Sequence, residues 1–199
     1  DEDANVLNLF DIILGAAKLQ KFLAEYDNNN QNPNEAYWHA LFKNNSWVLS
    51  QLFAYPVVII GDQAYVGGKT LSNKGGNVVD FVYRNEITSG IALVEIKTPT
   101  SDLMAAGAYR PPNVFAAASE LNGAIVQLLT GKSSLLAEAD RLSRAGSQEF
   151  AAFDPDCLLV VGSLSSLSGD RLRSFELYRR GLKDIQIVTF DELRRKLGS

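Results

Sequence analysis

The sequence predicts an α/β fold with a central mixed β-sheet that has helices on both faces. Three observations lead to this prediction: two helical patterns at the start, a group of β-rich segments in the middle, and a final third in which strand and helix patterns alternate. Antiparallel strands followed by β-α-β-α units are typical of a mixed sheet covered by helices. At 199 residues, we expect one domain, which can bury a sizeable core without disulfide bonds or a structural metal ion.

The first half supplies two helices and four β-rich segments. The N-terminal pattern predicts an amphipathic helix with these apolar residues near one face: Phe10, Ile13, Leu14, Ala17 and Phe22. The Asn-rich residues 27–33 predict a loop, after which Asn34 can cap a second helix. The β-rich segments are residues 55–62, 64–68, 77–83 and 91–97, and the glycine-containing residues 67–76 predict a loop.

The second half predicts two helices and then two strand–helix pairs. The helices are residues 116–130 and 133–145; the pairs are strand 157–161 with helix 171–180, and strand 185–190 with helix 191–197. We divide the chain into an N-terminal helix with its Asn-rich linker, residues 1–33, and one globular domain, residues 34–199. The chain begins at Asp1 and its only methionine is Met104, so we expect it to be a piece of a longer protein.

Composition limits the classes of function. The chain has 19 Lys and Arg against 23 Asp and Glu, a net charge of −4. Nucleic acid would therefore have to be bound by a local patch, a metal ion or several copies of the chain. The single cysteine, Cys157, cannot form an internal disulfide, which favours a reducing, cytoplasmic location. Charged residues interrupt the N-terminal apolar stretch, so no membrane span is expected.

The candidate chemistry lies on two neighbouring strands. Alternation along the last β-rich segment places Glu95 and Lys97 on one face, about 6–7 Å apart. If the two strands pair as a hairpin with Arg84 facing Ile91, Asp80 lies directly opposite Glu95. Opposed residues have Cβ atoms roughly 4.5–5.5 Å apart, and two buried carboxylates so close repel each other unless a cation lies between them.

These residue types predict metal-assisted hydrolysis of a phosphodiester. Asp80 and Glu95 would bind Mg²⁺ or Mn²⁺, and Lys97 would orient or deprotonate the attacking water or stabilise charge on the phosphoryl group. A Glu/Lys pair on a solvated strand face remains the other interpretation. Two Gly-Lys-Thr/Ser fragments, at residues 68–70 and 131–133, lack the preceding glycine of a phosphate-binding loop.

The residues also resemble a known family. The runs VVDFVY, LVEIKTPTSDL, YRPPNVFAAASELNGAIVQL and FELYRRGLKDIQIVTFDEL are similar to the nuclease domain of Shedu-type anti-phage defence proteins. That domain belongs to the PD-(D/E)XK superfamily of restriction-endonuclease-like enzymes. The resemblance covers residues 34–197 and implies a restriction-endonuclease-like fold and a Mg²⁺-dependent endonuclease acting on phage or other foreign DNA. It also implies an oligomer and an N-terminal region that precedes the nuclease domain.

The resemblance also implies roles for individual residues. Asp80 and Glu95 would be the metal ligands and Lys97 the catalytic lysine. Glu35 from the preceding helix and Gln127 from the following helix match positions that often complete such a site. Both residues also have an interpretation without a role in the site. Glu35 could be a first-turn acid that complements the helix dipole, and Gln127 could lie on a solvated helix face.

The remaining candidates are weaker. Arg110, in a loop predicted over residues 109–112, could reach a DNA phosphate. Cys157 is expected to be an inert core residue, and His39 is expected to pack in the protein or lie on its surface. The basic residues near the C-terminus, in residues 171–183 and 194–196, could lie on solvated helix faces or bind DNA phosphates. Two other functions stay open: a nuclease-like fold that binds DNA or assembles without cleaving it, and a phosphohydrolase that acts on mononucleotides.

Overall fold

The structure, a computed structural model, describes residues 2–67, 76–145 and 151–198. Its helices are α1 (Glu2–Asn28), α2 (Glu35–Asn44), α3 (Trp47–Ser50), α4 (Ser119–Ala145), α5 (Gly169–Gly181) and α6 (Phe190–Leu197). Its strands are β1 (Val57–Gly67), β2 (Asn77–Asn85), β3 (Gly90–Ile96), β4 (Met104–Arg110), β5 (Val114–Ala117), β6 (Ala151–Val160) and β7 (Gln186–Val188). The loop predicted over residues 67–76 lies mostly outside the described residues.

A five-stranded mixed sheet forms the centre of the fold, which confirms the predicted α/β class. The strand order is β1-β2-β3-β6-β7; the first three strands pair antiparallel, and β3, β6 and β7 pair parallel. The hairpin register is as predicted, because Arg84 pairs with Ile91. The pairing of β2 with β3 continues to Phe81 and Val94, and the next step in this register leads to the two candidate acids.

The sheet separates two hydrophobic cores, which explains the alternation along β3. Ile91 and Leu93 face a core formed with α4 and α5. Ala92, Val94 and Ile96 face a second core formed with α1, α2, α3 and α6. Helices therefore cover both faces of the sheet, and the odd-numbered residues of β3 point towards α4.

Two predicted breaks in secondary structure are wrong. Residues 55–62 and 64–68 were expected to form separate strands, but residues 57–67 form the single strand β1, which absorbs irregularities between Ile59 and Gly61 and near its end. The helices predicted over residues 116–130 and 133–145 are one helix, α4. Gly131 lies inside α4 and does not end it. A Cβ at this position would lie 3.0 Å from the Val79 side chain. The glycine instead allows α4 to pack closely on β2.

A second, two-stranded sheet is absent from the sequence prediction. In this hairpin, β4 and β5 pair antiparallel, with Ala108 opposite Phe115 and Arg110 opposite Val114. The strands are rich in alanine, a residue with low β-propensity, so the pattern of residues 116–118 resembles the start of a helix. The loop predicted over residues 109–112 is the end of this hairpin.

Among the side chains of α1 that the structure describes, those that join the core lie towards its C-terminal end. The predicted helix is present as α1. Phe22 is buried, whereas Ile13, Leu14 and Ala17 are exposed, because no described element covers α1 over residues 11–18. The side chain of Phe10 lies outside the described residues. Within the described part of the chain, we find no helix with the length and apolarity needed to cross a membrane.

Trp38 is the central residue of the aromatic core, and we expect its loss to destabilise the fold strongly. Its side chain is fully buried, and its ring centroid lies 4.8 Å from that of Phe190 and 5.2 Å from that of Tyr26. Trp38→Ala should lower the free energy of unfolding by about 3–5 kcal/mol, measured by urea denaturation. Trp47→Ala should cost much less, because that side chain is 37% exposed. Equal losses in the two variants would contradict this account.

Candidate active site

Two acidic side chains meet at the C-terminal end of β3. Glu95 is only 1% exposed, and Asp80 on β2 is half-buried. The Oδ2 atom of Asp80 accepts a hydrogen bond from the backbone N–H of Ile96 at 2.8 Å. Because Ile96 directly follows Glu95, this bond holds the Asp80 carboxylate beside Glu95. The structure thus brings the two acids together, as the hairpin register requires.

The two oxygens of Glu95 have different surroundings. Oε1 accepts hydrogen bonds from Nε2 of Gln127 at 2.6 Å and from Nζ of Lys97 at 3.0 Å. Oε2 is buried and has no hydrogen-bond partner among the described residues. One oxygen therefore fixes the orientation of the carboxylate, while the other is held out of water with its lone pairs unsatisfied, which costs free energy.

Lys97 links this pair of acids to α2. Its Nζ donates a second hydrogen bond, to Oε1 of Glu35 at 3.1 Å. Glu35 is the first residue of α2, and the helix start is fixed because the side chain of Asn34 accepts hydrogen bonds from two backbone N–H groups of the first turn. Both interpretations of Glu35 therefore apply: it is a first-turn acid, and it also reaches the site. The predicted group of Asp80, Glu95, Lys97, Glu35 and Gln127 is assembled in one place.

The pKa values reflect the crowding of these charges. Burial, followed by the charge of Asp80, raises the pKa of Glu95 to about 7, although Lys97 acts in the opposite direction. Burial also raises the pKa of Asp80, against a backbone hydrogen bond and the charges of His39 and Lys97. Burial lowers the pKa of Lys97, but Glu95 and Glu35 together outweigh it, so that pKa lies above its usual value. The two acids thus share a site with too little positive charge for both.

The loop after Lys97 contributes residues that the sequence analysis missed. Ser101 is buried, and its hydroxyl donates a hydrogen bond to Oε1 of Glu120 at 3.0 Å. The backbone N–H of Thr98 in turn donates to the Ser101 hydroxyl at 3.2 Å. Glu120 and Gln127 lie seven residues apart on one face of α4, so this helix holds both the loop and the Glu95 carboxylate. That spacing was the available signal in the sequence.

His39 packs against the site from α2. Its imidazole stacks on the ring of Phe81 with 5.0 Å between centroids, which confirms the predicted packing role. Cys157 is a buried free cysteine. Burial raises the pKa of its thiol to about 12, so it is an inert core residue, as predicted.

Arg110 is the one predicted site residue that does not belong to this group. It is exposed at the end of β4. Several of the other candidate basic residues are bound within the fold. Arg179 forms a two-pronged ion pair with Glu192, at 2.8 Å for each contact, and Arg194 pairs with Asp27 at 2.7 Å.

The donor atoms decide which metal ion the site could hold. Across residues 2–67, 76–145 and 151–198, no group of three or more His, Cys, Asp and Glu side chains is arranged as a metal site. Mg²⁺ does not need such a group, because proteins often bind it through one or two carboxylates together with water and phosphate oxygens. Asp80 and Glu95 supply two carboxylates, and Oε2 of Glu95 lacks a partner. These oxygen donors fit Mg²⁺ or Mn²⁺.

The fold and the site define a class of protein: an α/β domain in which two carboxylates, a lysine and a glutamine meet where a central strand ends. The model of the family described as "Shedu protein SduA, C-terminal" matches residues 32–194. The chain is also 39% identical over 200 residues to the Shedu protein SduA of Bacillus cereus (strain B4264), across 97% of this chain and 52% of that protein. This chain belongs to the Shedu protein SduA C-terminal family. It spans about half the length of the curated relative.

Proposed function

We propose that this chain is a metal-dependent DNA endonuclease of the PD-(D/E)XK superfamily, with a restriction-endonuclease-like fold. Its role would be to cut phage or other foreign DNA in bacterial antiviral defence, as the resemblance of its motifs to Shedu nuclease domains implies. The observation that carries the proposal is the buried, unpartnered Oε2 of Glu95, which lies beside a second carboxylate and near a lysine. Such a site favours a divalent cation and its phosphate ligand.

In this proposal, Asp80 and Glu95 hold the ion. A bound Mg²⁺ or Mn²⁺ lowers the pKa of its bound water and neutralises charge on the phosphoryl group. Gln127 keeps the Glu95 carboxylate in one orientation through Oε1, which leaves Oε2 as a donor towards the cation.

Lys97 supplies the positive charge that the chain itself brings to the reaction. Hydrogen bonds to Glu35 and Glu95 hold its Nζ in place, so the ammonium group is positioned before substrate binds. A fixed charge of this kind stabilises the negative charge that develops on the phosphoryl oxygens and orients the attacking water. Ser101 and Glu120 act on the following loop and are positioning residues.

The proposed partners of this chain are a further region of the same protein and other copies of the protein. The matched relative is about twice as long, so we propose that a further region, N-terminal to this one, restrains or directs cleavage. A homo-oligomer would join several sites and add DNA contacts, which suits a chain whose net charge is −4.

The test measures cleavage of supercoiled plasmid and of linear DNA with different ends by the full-length protein. We expect cutting with Mg²⁺ or Mn²⁺ and none with EDTA. Cutting that persists in EDTA would contradict the metal site. Binding of DNA without cutting under every condition would favour the non-cleaving alternative, and hydrolysis of mononucleotides alone would favour a phosphohydrolase.

A further inference from the structure

Strand β1 contains a kink that the proposed chemistry does not use. The pairing of β1 with β2 shifts between Ile59 and Gly61, and a Cβ at Gly61 would lie only 3.0 Å from the side chain of Ala64. Between these two residues, Gln63 has a φ of 43°. This is the left-handed conformation, which costs free energy for a residue that carries a side chain. The chain therefore keeps Gln63 in a strained backbone conformation within a kinked strand.

A turn does not account for this conformation. Among the described residues other than glycine, Gln63 shares a positive φ with Ser89, whose φ is 60°. Ser89 lies in the short connection between β2 and β3, where its N–H donates to the carbonyl of Asn85 at 3.0 Å, and turns often contain such residues. Gln63 instead lies inside a strand of 11 residues. Strained residues of this kind cluster at active sites, and strand irregularities beside such sites redirect a side chain.

The kink lies beside the candidate active site. The residues on either side of Gln63 pair with the residues on either side of Asp80, so Gln63 and Asp80 are opposite each other in this register. Opposed residues of an antiparallel pair have Cα atoms roughly 4.5–5.5 Å apart. Gln63 is exposed. Its carboxamide is therefore accessible to a substrate that reaches Asp80.

Helix α2 fixes the kink relative to the rest of the site. At the last turn of α2, the Nζ atom of Lys43 pairs with Oδ2 of Asp62, the residue before Gln63, at 2.7 Å. At the first residue of the same helix, Glu35 accepts the hydrogen bond from Lys97 at 3.1 Å. The two ion pairs attach one helix both to the kink and to the lysine of the site. The position of Gln63 is thus set before any substrate binds.

The surroundings of Gln63 fit a phosphate group of the DNA backbone. The side-chain NH₂ of Gln63 is a hydrogen-bond donor that carries no charge. The nearest acid in the sequence, Asp62, is paired with Lys43, and the Lys43 side chain remains 56% exposed, so a half-exposed ammonium group adds to the donors on this side of the site. Glutamine side chains commonly donate to DNA phosphates, and such contacts position a duplex without reading its sequence.

We propose that Gln63 is a substrate-binding residue, whose side-chain N–H donates to a phosphate oxygen of the DNA strand next to the phosphate that is cut. The proposal rests on the proposed nuclease function and adds a residue that positions the substrate in the same site. It also gives the kink in β1 a role, since the strained backbone directs the carboxamide of Gln63 towards the substrate.

The experiment measures DNA binding by full-length protein that carries Lys97→Ala, with Mg²⁺ present, so that binding is followed without cleavage. Fluorescence anisotropy gives the Kd of a labelled linear duplex over a range of salt concentrations. We expect Gln63→Gly to weaken binding by roughly ten- to a hundredfold, because a hydrogen bond to a charged group is lost. It should not lower the Tm, because glycine adopts a positive φ freely. Ser89→Gly is the matched control: it relieves the same backbone conformation in a turn and should leave the Kd unchanged.

Two further variants test the phosphate contact itself. Gln63→Glu keeps the shape of the side chain but cannot donate, so it should weaken binding at least as much as Gln63→Gly. Gln63→Lys keeps a donor and adds a charge, so it should retain affinity and steepen the slope of log K against log salt by about one. Equal affinities of these two variants would overturn the phosphate contact.

Wild-type affinity in Gln63→Gly, or an equal loss in Ser89→Gly, would also overturn the proposal. If protein with an intact Lys97 cuts DNA normally in such a case, the nuclease assignment stands and only the role of Gln63 fails. If the Gln63 variants lose binding as expected but the wild-type protein cuts no DNA, the contact stands and the nuclease assignment fails.

Discussion

Lys97→Ala is expected to reduce the rate of DNA cleavage by roughly 10²- to 10⁴-fold while leaving DNA binding nearly unchanged. The side chain of Lys97 is 12% exposed, and its ammonium group is held between Glu35 and Glu95 at 3.1 and 3.0 Å. A charge fixed in this way acts mainly when the phosphoryl group gains negative charge, so its removal should lower the cleavage rate constant more than the affinity. Single-turnover cleavage and anisotropy measured on the same DNA separate these two quantities.

Lys132→Ala is the matched control for this variant. The side chain of Lys132 is also 12% exposed and pairs with Asp154 at 2.6 Å. Asp154 lies in the first half of β6, whereas Lys97 bonds through its backbone N–H to Val160 at the C-terminal end of that strand. Lys132 therefore lies away from the candidate site. Its loss should remove an equally buried, ion-paired lysine without reducing cleavage. The site assignment fails if the two variants lose equal activity, or if Lys97→Ala cuts at the wild-type rate.

The strand residues of the site could be predicted because strand geometry is simple. A period of two fixes which side chains share a face, and the six-residue connection between Arg84 and Ile91 fixes the register. Asp80 and Glu95 therefore follow from local pattern alone. Their burial is also foreseeable, since apolar residues surround both positions in the sequence.

The helix and loop residues of the site could not be derived in the same way. Glu35 and Gln127 lie on elements that reach the site only through tertiary packing, so local pattern left them equally compatible with a solvated face, and the resemblance to a family was needed to select them. The spacing of Glu120 and Gln127 places both on one face of α4, but the contact of Ser101 with Glu120 joins a loop to a helix start, which no periodicity records. The β4–β5 hairpin was missed because tertiary contacts with α5 hold an alanine-rich segment in an extended conformation.

Glu95→Gln is expected to abolish metal-dependent cleavage and, at the same time, to stabilise the metal-free protein. The substitution keeps the acceptor for Gln127 but removes a charge that is 1% exposed, unpartnered at Oε2 and close to Asp80. Removing a buried negative charge that Asp80 repels is worth about 1–2 kcal/mol, which corresponds to a rise in Tm of about 2–8 °C for a chain of this size. Glu86→Gln, the same exchange at an exposed position, should leave Tm unchanged.

Thermal unfolding of the wild-type protein and of Glu95→Gln, with EDTA and with Mg²⁺, tests whether Glu95 lowers the stability of the metal-free protein and binds the metal ion. Mg²⁺ should raise the Tm of the wild-type protein, because a ligand that binds only the folded state stabilises it, and should not raise that of Glu95→Gln. In EDTA, the advantage of the variant should also depend on pH. The folded-state pKa of Glu95 is raised from 4.5 to about 7, so the ionised carboxylate destabilises the wild-type fold above that pH and ceases to do so as the pH falls towards 4.5. A variant that is less stable than the wild type in EDTA, or that gains as much from Mg²⁺, would show that Glu95 is a structural acid and not a metal ligand.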